Sequence, residues 1–305
     1  MALVLGGGGA AGNAWEIGVI AGLAEAGVDL AEAADVVIGT SAGATTAAQV
    51  RGGTPVADLL TAVLSPPPRP AGPGGQNRGR TPSLPMGTVF ERMRAIGAAA
   101  TSAADLQREM GAFGLESDAI LEPGAAQRRA TVAARLPHPD WPDRPMMVVT
   151  LDAHTGELAV FDRDSGVELV DAVTASTALP GLVPTVAING GRYIDGGVRS
   201  ADNADLAAGY KHVVVLSPLG GRGQGPPPPG QFEGLRRSPD WGTDLDSQVE
   251  ALRRQGSRVE VITPDAGARS AMGTNQMDLA ARIPAARAGF AQGQREAARV
   301  KIGVG

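Results

Sequence analysis

The chain has 305 residues, 43% of them hydrophobic, and a net charge of -5 from 27 basic and 32 acidic side chains. That is enough apolar surface for a substantial core, and a single globular unit over 1-305 is expected. The chain lacks cysteine, its three histidines (His138, His154, His212) are scattered, and no basic block is dense enough to neutralise a run of phosphates. Disulfides and thiolate metal sites are thus excluded, and no metal, cofactor or nucleic-acid partner is expected.

Met1 leads almost directly into the apolar strand "ALVL" (2-5), with no basic segment and no apolar stretch before a cleavage site, so a cytoplasmic protein is expected. Gly, Pro and charges interrupt every window before it reaches the roughly 20 apolar residues that span a bilayer. After strand 2-5 come four glycines and a helix over about 12-26, a strand at 35-39 and a helix at 41-51. A helical stretch runs with breaks from about 54 to 134, and strands are expected near 146-152, 158-162, 184-188 and 191-195. A helix at 202-209, the β-branched run "HVVVLS" (212-217), a helix at 243-255, a strand at 258-263 and a terminal helix at 283-300 complete the pattern. Near-continuous apolar strands alternating with helices imply a mainly parallel sheet covered on both faces, an α/β/α arrangement. Two segments dense in Pro and Gly, 65-85 and 217-239, read as long loops, and Arg69, Arg78 and Arg80 in the first offer a contact for anionic headgroups at a membrane surface.

Gly7, Gly9 and Gly12 satisfy G-x-G-x-x-G between a strand and a helix, the context of a dinucleotide fingerprint. A dinucleotide-binding oxidoreductase would then need an acidic residue ending the second strand, to hold the ribose. The chain has Gly39, Thr40 and Ser41 there, with Asp35 before the strand. What stands at that point is "GTSAG" (39-43), a G-x-S-x-G elbow. Gly39 and Gly43 permit a sharp turn that leaves the Ser41 hydroxyl exposed at a helix start. If strands 2-5 and 35-39 are parallel neighbours, the loop at 6-12 lies beside Ser41, and the amides of Gly7, Gly8 and Gly9 can face an oxygen that becomes anionic during attack on an ester.

A nucleophilic serine needs a proton acceptor. His138 lies between prolines, His154 in a hairpin turn, and His212 opens its strand, at the opposite side of a parallel sheet from Ser41. Asp195 ends the strand "RYID", and Gly196 and Gly197 behind it force a turn that presents its carboxylate. If that turn reaches the edge where Ser41 stands, Asp195 can take the serine proton directly; as a weak base it would work best partly desolvated.

Three blocks, "LGGGGAAGNAWEIGVIAGLAEAGV" (5-28), "IGTSAGA" (38-44) and "ASTALPGLVPTVAINGGRYIDGGVRSADNADLA" (175-207), resemble the patatin-like phospholipase family in their order. The resemblance implies a patatin-like three-layer α/β/α fold and a Ser-Asp dyad without histidine, metal or cofactor. It implies a lipid or other acyl ester as substrate, Ser41 as nucleophile, Asp195 as proton acceptor, Gly7, Gly8 and Gly9 as the oxyanion loop, and Gly12, Gly39, Gly43, Gly196 and Gly197 as supports. The chain departs from the family at Ala11, where the glycine loop usually carries a basic residue. A lipid-binding or regulatory protein that keeps the fold with a weakened site is the remaining alternative.

Overall fold

The computed structural model describes residues 1-65, 83-220 and 238-300. Most of the two Pro/Gly-rich loops expected at 65-85 and 217-239 lies outside the described residues.

Strand β1 (Ala2-Leu5) enters helix α1 (Gly9-Glu25), and the short helix α2 (Leu30-Ala33), capped by Asp29, leads to β2 (Val36-Thr40). Helices α3 (Ala42-Arg51), α4 (Val56-Leu64), α5 (Met86-Ala99), α6 (Ala103-Leu121) and α7 (Ala125-Ala133) follow. Strands β3 (Met146-Asp152) and β4 (Leu158-Phe161) form a hairpin, then come α8 (Leu169-Ser176), β5 (Val186-Ile188) and β6 (Gly191-Asp195). The rest is β7 (His212-Leu216), α9 (Leu245-Arg254), β8 (Arg258-Ile262), α10 (Ala266-Met272) and α11 (Arg282-Glu296). Among the described residues no helix is long and apolar enough to cross a membrane.

The strands form one eight-stranded sheet in the order β5-β6-β3-β2-β1-β7-β8, with β4 paired to β3. Strands β3, β2, β1, β7 and β8 are mutually parallel, whereas β4, β5 and β6 pair antiparallel. Both faces of the parallel strands are apolar because both are covered. Leu3, Leu5, Val37, Val148 and Val214 join the core built with α1, α3, α8 and α11, while the alternate residues Ala2, Val4, Val36, Ile38 and Val213 pack against α9. A third apolar cluster joins α5 and α6 to Leu151, Leu179 and Ile194 near β6.

Helix α1 is buried over most of its circumference, so its residues show no polar stripe. It meets α11 with backbones nearly touching: a Cβ on Gly18 would lie 2.2 Å from the Ala286 carbonyl oxygen, and one on Gly293 would lie 2.3 Å from that of Val19. The two helices therefore pack through small residues rather than interdigitated side chains.

Two expectations need correction. The helix expected at 202-209 is only a single 3-10 turn at Ala204-Ala207, because Asn203 before it is left-handed (φ 50) and its side chain is drawn back toward Thr40, Gly196 and Ser200. Helix α10 lies in a stretch where no element was expected; the Asp265 carboxylate starts it by accepting the Ala268 amide.

Candidate active site

The register of β3 brings the two motif residues together. Strand β4 occupies one edge of β3, pairing Val148 to Phe161 through Leu151 to Leu158. The other edge is divided: β2 runs parallel along Val37↔Met146 to Thr40↔Val149, and β6 runs antiparallel along Thr150↔Asp195 to Asp152↔Tyr193. The C-terminal ends of β2 and β6 thus meet head-on, Thr40 and Asp195 facing consecutive residues of one strand. Ser41 follows Thr40, and its Oγ donates to Asp195 Oδ2 at 2.7 Å.

Ser41 has φ 55 and ψ -117, a sparsely populated conformation that costs about 1-3 kcal/mol and persists only where the surroundings impose it. The constraints are visible. The Ser41 amide donates to Ser176 Oγ at 2.9 Å, and that hydroxyl donates to the Val149 carbonyl at 2.7 Å, anchoring the elbow to β3. A Cβ on Gly43 would fall 2.0 Å from the Leu5 carbonyl oxygen, and one on Gly39 would fall 2.6 Å from the Ala44 Cα, so only glycine fits on either side of the serine.

Asp195 is 3% exposed. Its amide donates to the Ala178 carbonyl (3.0 Å), and its Oδ1 accepts the Gly197 amide at 2.7 Å, which leaves Oδ2 facing Ser41. A Cβ on Gly196 would fall 2.5 Å from the Val149 carbonyl oxygen, so the turn after Asp195 also depends on a missing side chain. These contacts hold the carboxylate with one oxygen committed to the backbone and the other to the serine.

The glycine loop lies beside the pair: a Cβ on Gly7 would sit 3.4 Å from the Ser41 Cβ and 4.0 Å from its Oγ. The Gly7 amide is already used, donating to the Ala201 carbonyl at 2.7 Å. The expectation that Gly7 serves as an oxyanion donor is therefore revised. Among the described residues the Gly8 and Gly9 amides have no hydrogen-bond acceptor, as expected where the first turn of α1 leaves its donors open. Gly8 and Gly12 pack beneath Pro218, at 2.5 and 3.1 Å from its Cβ for an added Cβ, and the Ala11 amide donates to the Gln276 carbonyl. Ala11 is wholly buried.

Beneath the loop stand two buried carboxyl groups that the sequence reading did not single out. Burial raises Glu16 well above its ordinary value, the Thr46 hydroxyl bond opposing this and the Asp202 charge adding to it. Burial likewise pushes Asp202 up to about 7, the Asp246 charge adding to this, and Asp202 Oδ1 is buried without a hydrogen-bond partner. Asn203, 0% exposed, was missed too: its Nδ2 donates to Thr40 Oγ1 (3.1 Å) and to the carbonyls of Gly196 (3.3 Å) and Ser200 (2.8 Å). Its position in "SADN" carries no signal beyond a turn; only the fold brings it between the two motif loops.

The histidines stand apart. His212 opens β7 at the end of the sheet opposite Ser41, where its Nε2 meets Glu260 Oε2. His138 is exposed beside Asp140, and His154 is exposed in the β3-β4 turn.

Among solved structures, VipD from Legionella pneumophila is similar, at 15% identity and a TM-score of 0.45, over 98% of this chain and 66% of that chain. The chain thus spans slightly under two thirds of VipD's length. No curated protein sequence matches. The sequence profile described as patatin-like phospholipase matches residues 3-208. With well over half of its length in that match, the chain belongs to the patatin-like phospholipases, a family of lipid acyl hydrolases.

Proposed function

We propose that the protein hydrolyses acyl esters of lipids through an acyl-enzyme formed on Ser41, with Asp195 as the proton acceptor. The observation that carries this reading is the 2.7 Å hydrogen bond from Ser41 Oγ to Asp195 Oδ2, made by a serine held in a strained elbow.

In the first step the Ser41 oxygen bonds to the ester carbonyl carbon as its proton passes to Asp195 Oδ2. The carbonyl oxygen gains negative charge and accepts from the Gly8 and Gly9 amides, which have no acceptor among the described residues. Collapse expels the alcohol, which takes the proton from Asp195, and leaves the acyl group on Ser41. Water then gives a proton to Asp195 and attacks the acyl carbon; the bond from that carbon to the Ser41 oxygen breaks, Ser41 takes the proton from Asp195, and the fatty acid is released.

The apolar rim fits an acyl substrate. Met277 (41% exposed) and Leu279 (65% exposed) stand out from the segment whose Gln276 carbonyl holds the glycine loop, and the Met277 sulfur would lie 2.9 Å from a Cβ on Gly9. Exposed apolar side chains beside a reactive site suit contact with a lipid surface.

The test is a fluorophosphonate probe with a panel of p-nitrophenyl esters of rising chain length, beside phospholipid and lysophospholipid. Labelling at Ser41 and turnover that vanishes in Ser41→Ala are expected. Ester hydrolysis at the wild-type rate by Ser41→Ala would remove the proposal.

A further inference from the structure

Ten arginines among the described residues have an acidic partner. Arg129 pairs with Glu168 and Asp171, Arg192 with Asp118 and Glu122, Arg199 with Asp205, and Arg295 with Asp265. Three arginines around Ser41 do not: among the described residues Arg128, Arg135 and Arg282 make no ion pair. Arg128 reaches only the Thr177 carbonyl (3.3 Å) and hydroxyl (2.7 Å), and its Nε is buried without a partner. Arg282 donates only to Asn13 Oδ1, at 3.1 Å. The Arg135 side chain has no hydrogen-bond partner among the described residues.

The three come from α7 with its closing turn and from the start of α11. Arg128 and Arg135 are seven residues apart on α7 and the turn that continues it, two turns on one face. Thr177, which holds Arg128, follows Ser176, the acceptor of the Ser41 amide. From the other side, Arg282 binds Asn13, Asn13 Nδ2 donates to Gln49 Oε1 (2.9 Å), and Gln49 Nε2 donates to the Arg135 carbonyl (3.1 Å). Gln49 lies on α3, the helix that Ser41 begins, and Asn13 follows the glycine loop. The guanidiniums are near enough to repel: besides burial, the Arg135 charge lowers the pKa of both Arg128 and Arg282. The acid that Arg128 feels is Asp195, whose two oxygens are bound to Ser41 and Gly197.

We propose that Arg128, Arg135 and Arg282 form an anion subsite beside the Ser41-Asp195 pair, which takes a phosphate or similar negative group borne by the ester substrate and selects net-anionic esters over zwitterionic and neutral ones. Gathering three cations without an acid, two of them (Arg128 and Arg282) partly buried and Arg135 exposed, is unfavourable in the free protein, and an incoming anion relieves it. Guanidinium forks suit phosphate oxygens, and Arg128 Nε, Arg135 and Arg282 retain open donors for them. Arg128 binds Thr177, the neighbour of the Ser176 that accepts the Ser41 amide, so an anion held there would orient the ester as well as retain it.

This inference rests on the ester-hydrolase reading, and its test separates the two. Ser41→Ala protein, which binds without turning over, is titrated calorimetrically with monomeric dihexanoyl phosphatidic acid, dihexanoyl phosphatidylcholine and inorganic phosphate. The phosphatidic acid should bind at least about tenfold more tightly than the phosphatidylcholine, a ratio within the range of one charge-assisted hydrogen bond. Adding Arg135→Gln or Arg282→Gln should reduce that ratio about tenfold, and Arg135→Lys should restore part of it. In the otherwise wild-type protein the same changes should lower kcat/KM for the anionic ester relative to p-nitrophenyl butyrate. A general loss of folding would lower both and leave the ratio unmoved. Equal affinity for the two lipids, or a preference untouched by both glutamine substitutions, overturns the subsite. So does binding of inorganic phosphate without any preference between the lipids, which would mark a site for the free anion. Failure of the wild type to cleave p-nitrophenyl butyrate, with the lipid preference intact, would instead sink the hydrolase reading.

Discussion

Asn203 donates a hydrogen bond to Thr40 Oγ1 from 163 residues away, and the same amide group also donates to the Gly196 carbonyl. Thr40 precedes Ser41 and Gly196 follows Asp195, so one buried side chain spans the two loops that set the serine-carboxylate distance. Asn203→Gly preserves the left-handed backbone at this position while removing the clamp. We expect kcat to fall about tenfold or more with a smaller change in KM, since misplacement affects the reacting geometry more than substrate retention. Loss of the buried bonds should also lower stability by about 1-3 kcal/mol. Kinetics on a p-nitrophenyl ester with urea unfolding checks both; an unchanged kcat would remove Asn203 from the positioning role.

Asp195→Asn keeps the shape of the side chain but cannot accept the serine proton as a carboxylate does. Turnover should fall about 10³- to 10⁴-fold, the range seen when a base is removed while the oxyanion donors remain. Fluorophosphonate labelling of Ser41 should slow in parallel, because the same proton must leave. Labelling at the wild-type rate would show that Asp195 is not the base.

Ser41 stores strain, which gives a test independent of activity. At φ 55 a glycine is unstrained and an alanine is not. Ser41→Gly should therefore be at least as stable as Ser41→Ala, and by about 1 kcal/mol the better, although glycine ordinarily loses this comparison. Chemical denaturation of the two inactive proteins measures the difference, and an advantage for alanine would contradict the strained elbow.

The parts that could be read from the residues are those where geometry forbids substitution. Gly43 against the Leu5 carbonyl and Gly196 against the Val149 carbonyl leave no room for a Cβ, so the elbow and the Asp-Gly-Gly turn advertise themselves in the chain. The parallel strands were legible because burial on both faces demands unbroken apolar runs. Asn203 and Ser176 were not legible, since each acts through a partner far away in sequence and leaves no local spacing. The Gly7 amide was misread for a related reason: a glycine loop shows where donors can approach, but not that the Ala201 carbonyl already takes one of them. The short turn at 204-207 was overread as a helix because its composition is helical, while the tertiary bonds of Asn203 prevail.

Close packing of α1 on α11 opposes helix propensity and can be tested there. Gly22 sits mid-helix, where alanine would ordinarily add about 1 kcal/mol. A Cβ at Gly22 would lie 2.1 Å from the Phe290 carbonyl oxygen, a backbone atom that cannot rotate away. Gly22→Ala should therefore destabilise by about 1-3 kcal/mol. A thermal melt that rises on substitution would show that the two helices are farther apart.

Glu16 and Asp202 make stability depend on pH in the direction opposite to an ion-paired carboxylate. Asp202 is raised by burial to about 7 from an ordinary 3.8, so between those values the folded protein holds a proton that the unfolded chain has released. Its contribution is fully present below about pH 4 and is lost as pH rises through 7. Glu16, raised in the same direction, adds to this slope. Unfolding free energy should thus fall between pH 5 and pH 8, by about 2-3 kcal/mol for Asp202 alone. Asp202→Asn keeps the side-chain volume required next to Gly6, where an added Cβ would meet Asp202 Oδ1 at 2.4 Å, and removes the charge. Urea titrations at the two pH values should show a shallower fall for Asp202→Asn than for the wild type. Equal slopes would mean that Asp202 is ionised in the folded protein, with a compensating cation beside it.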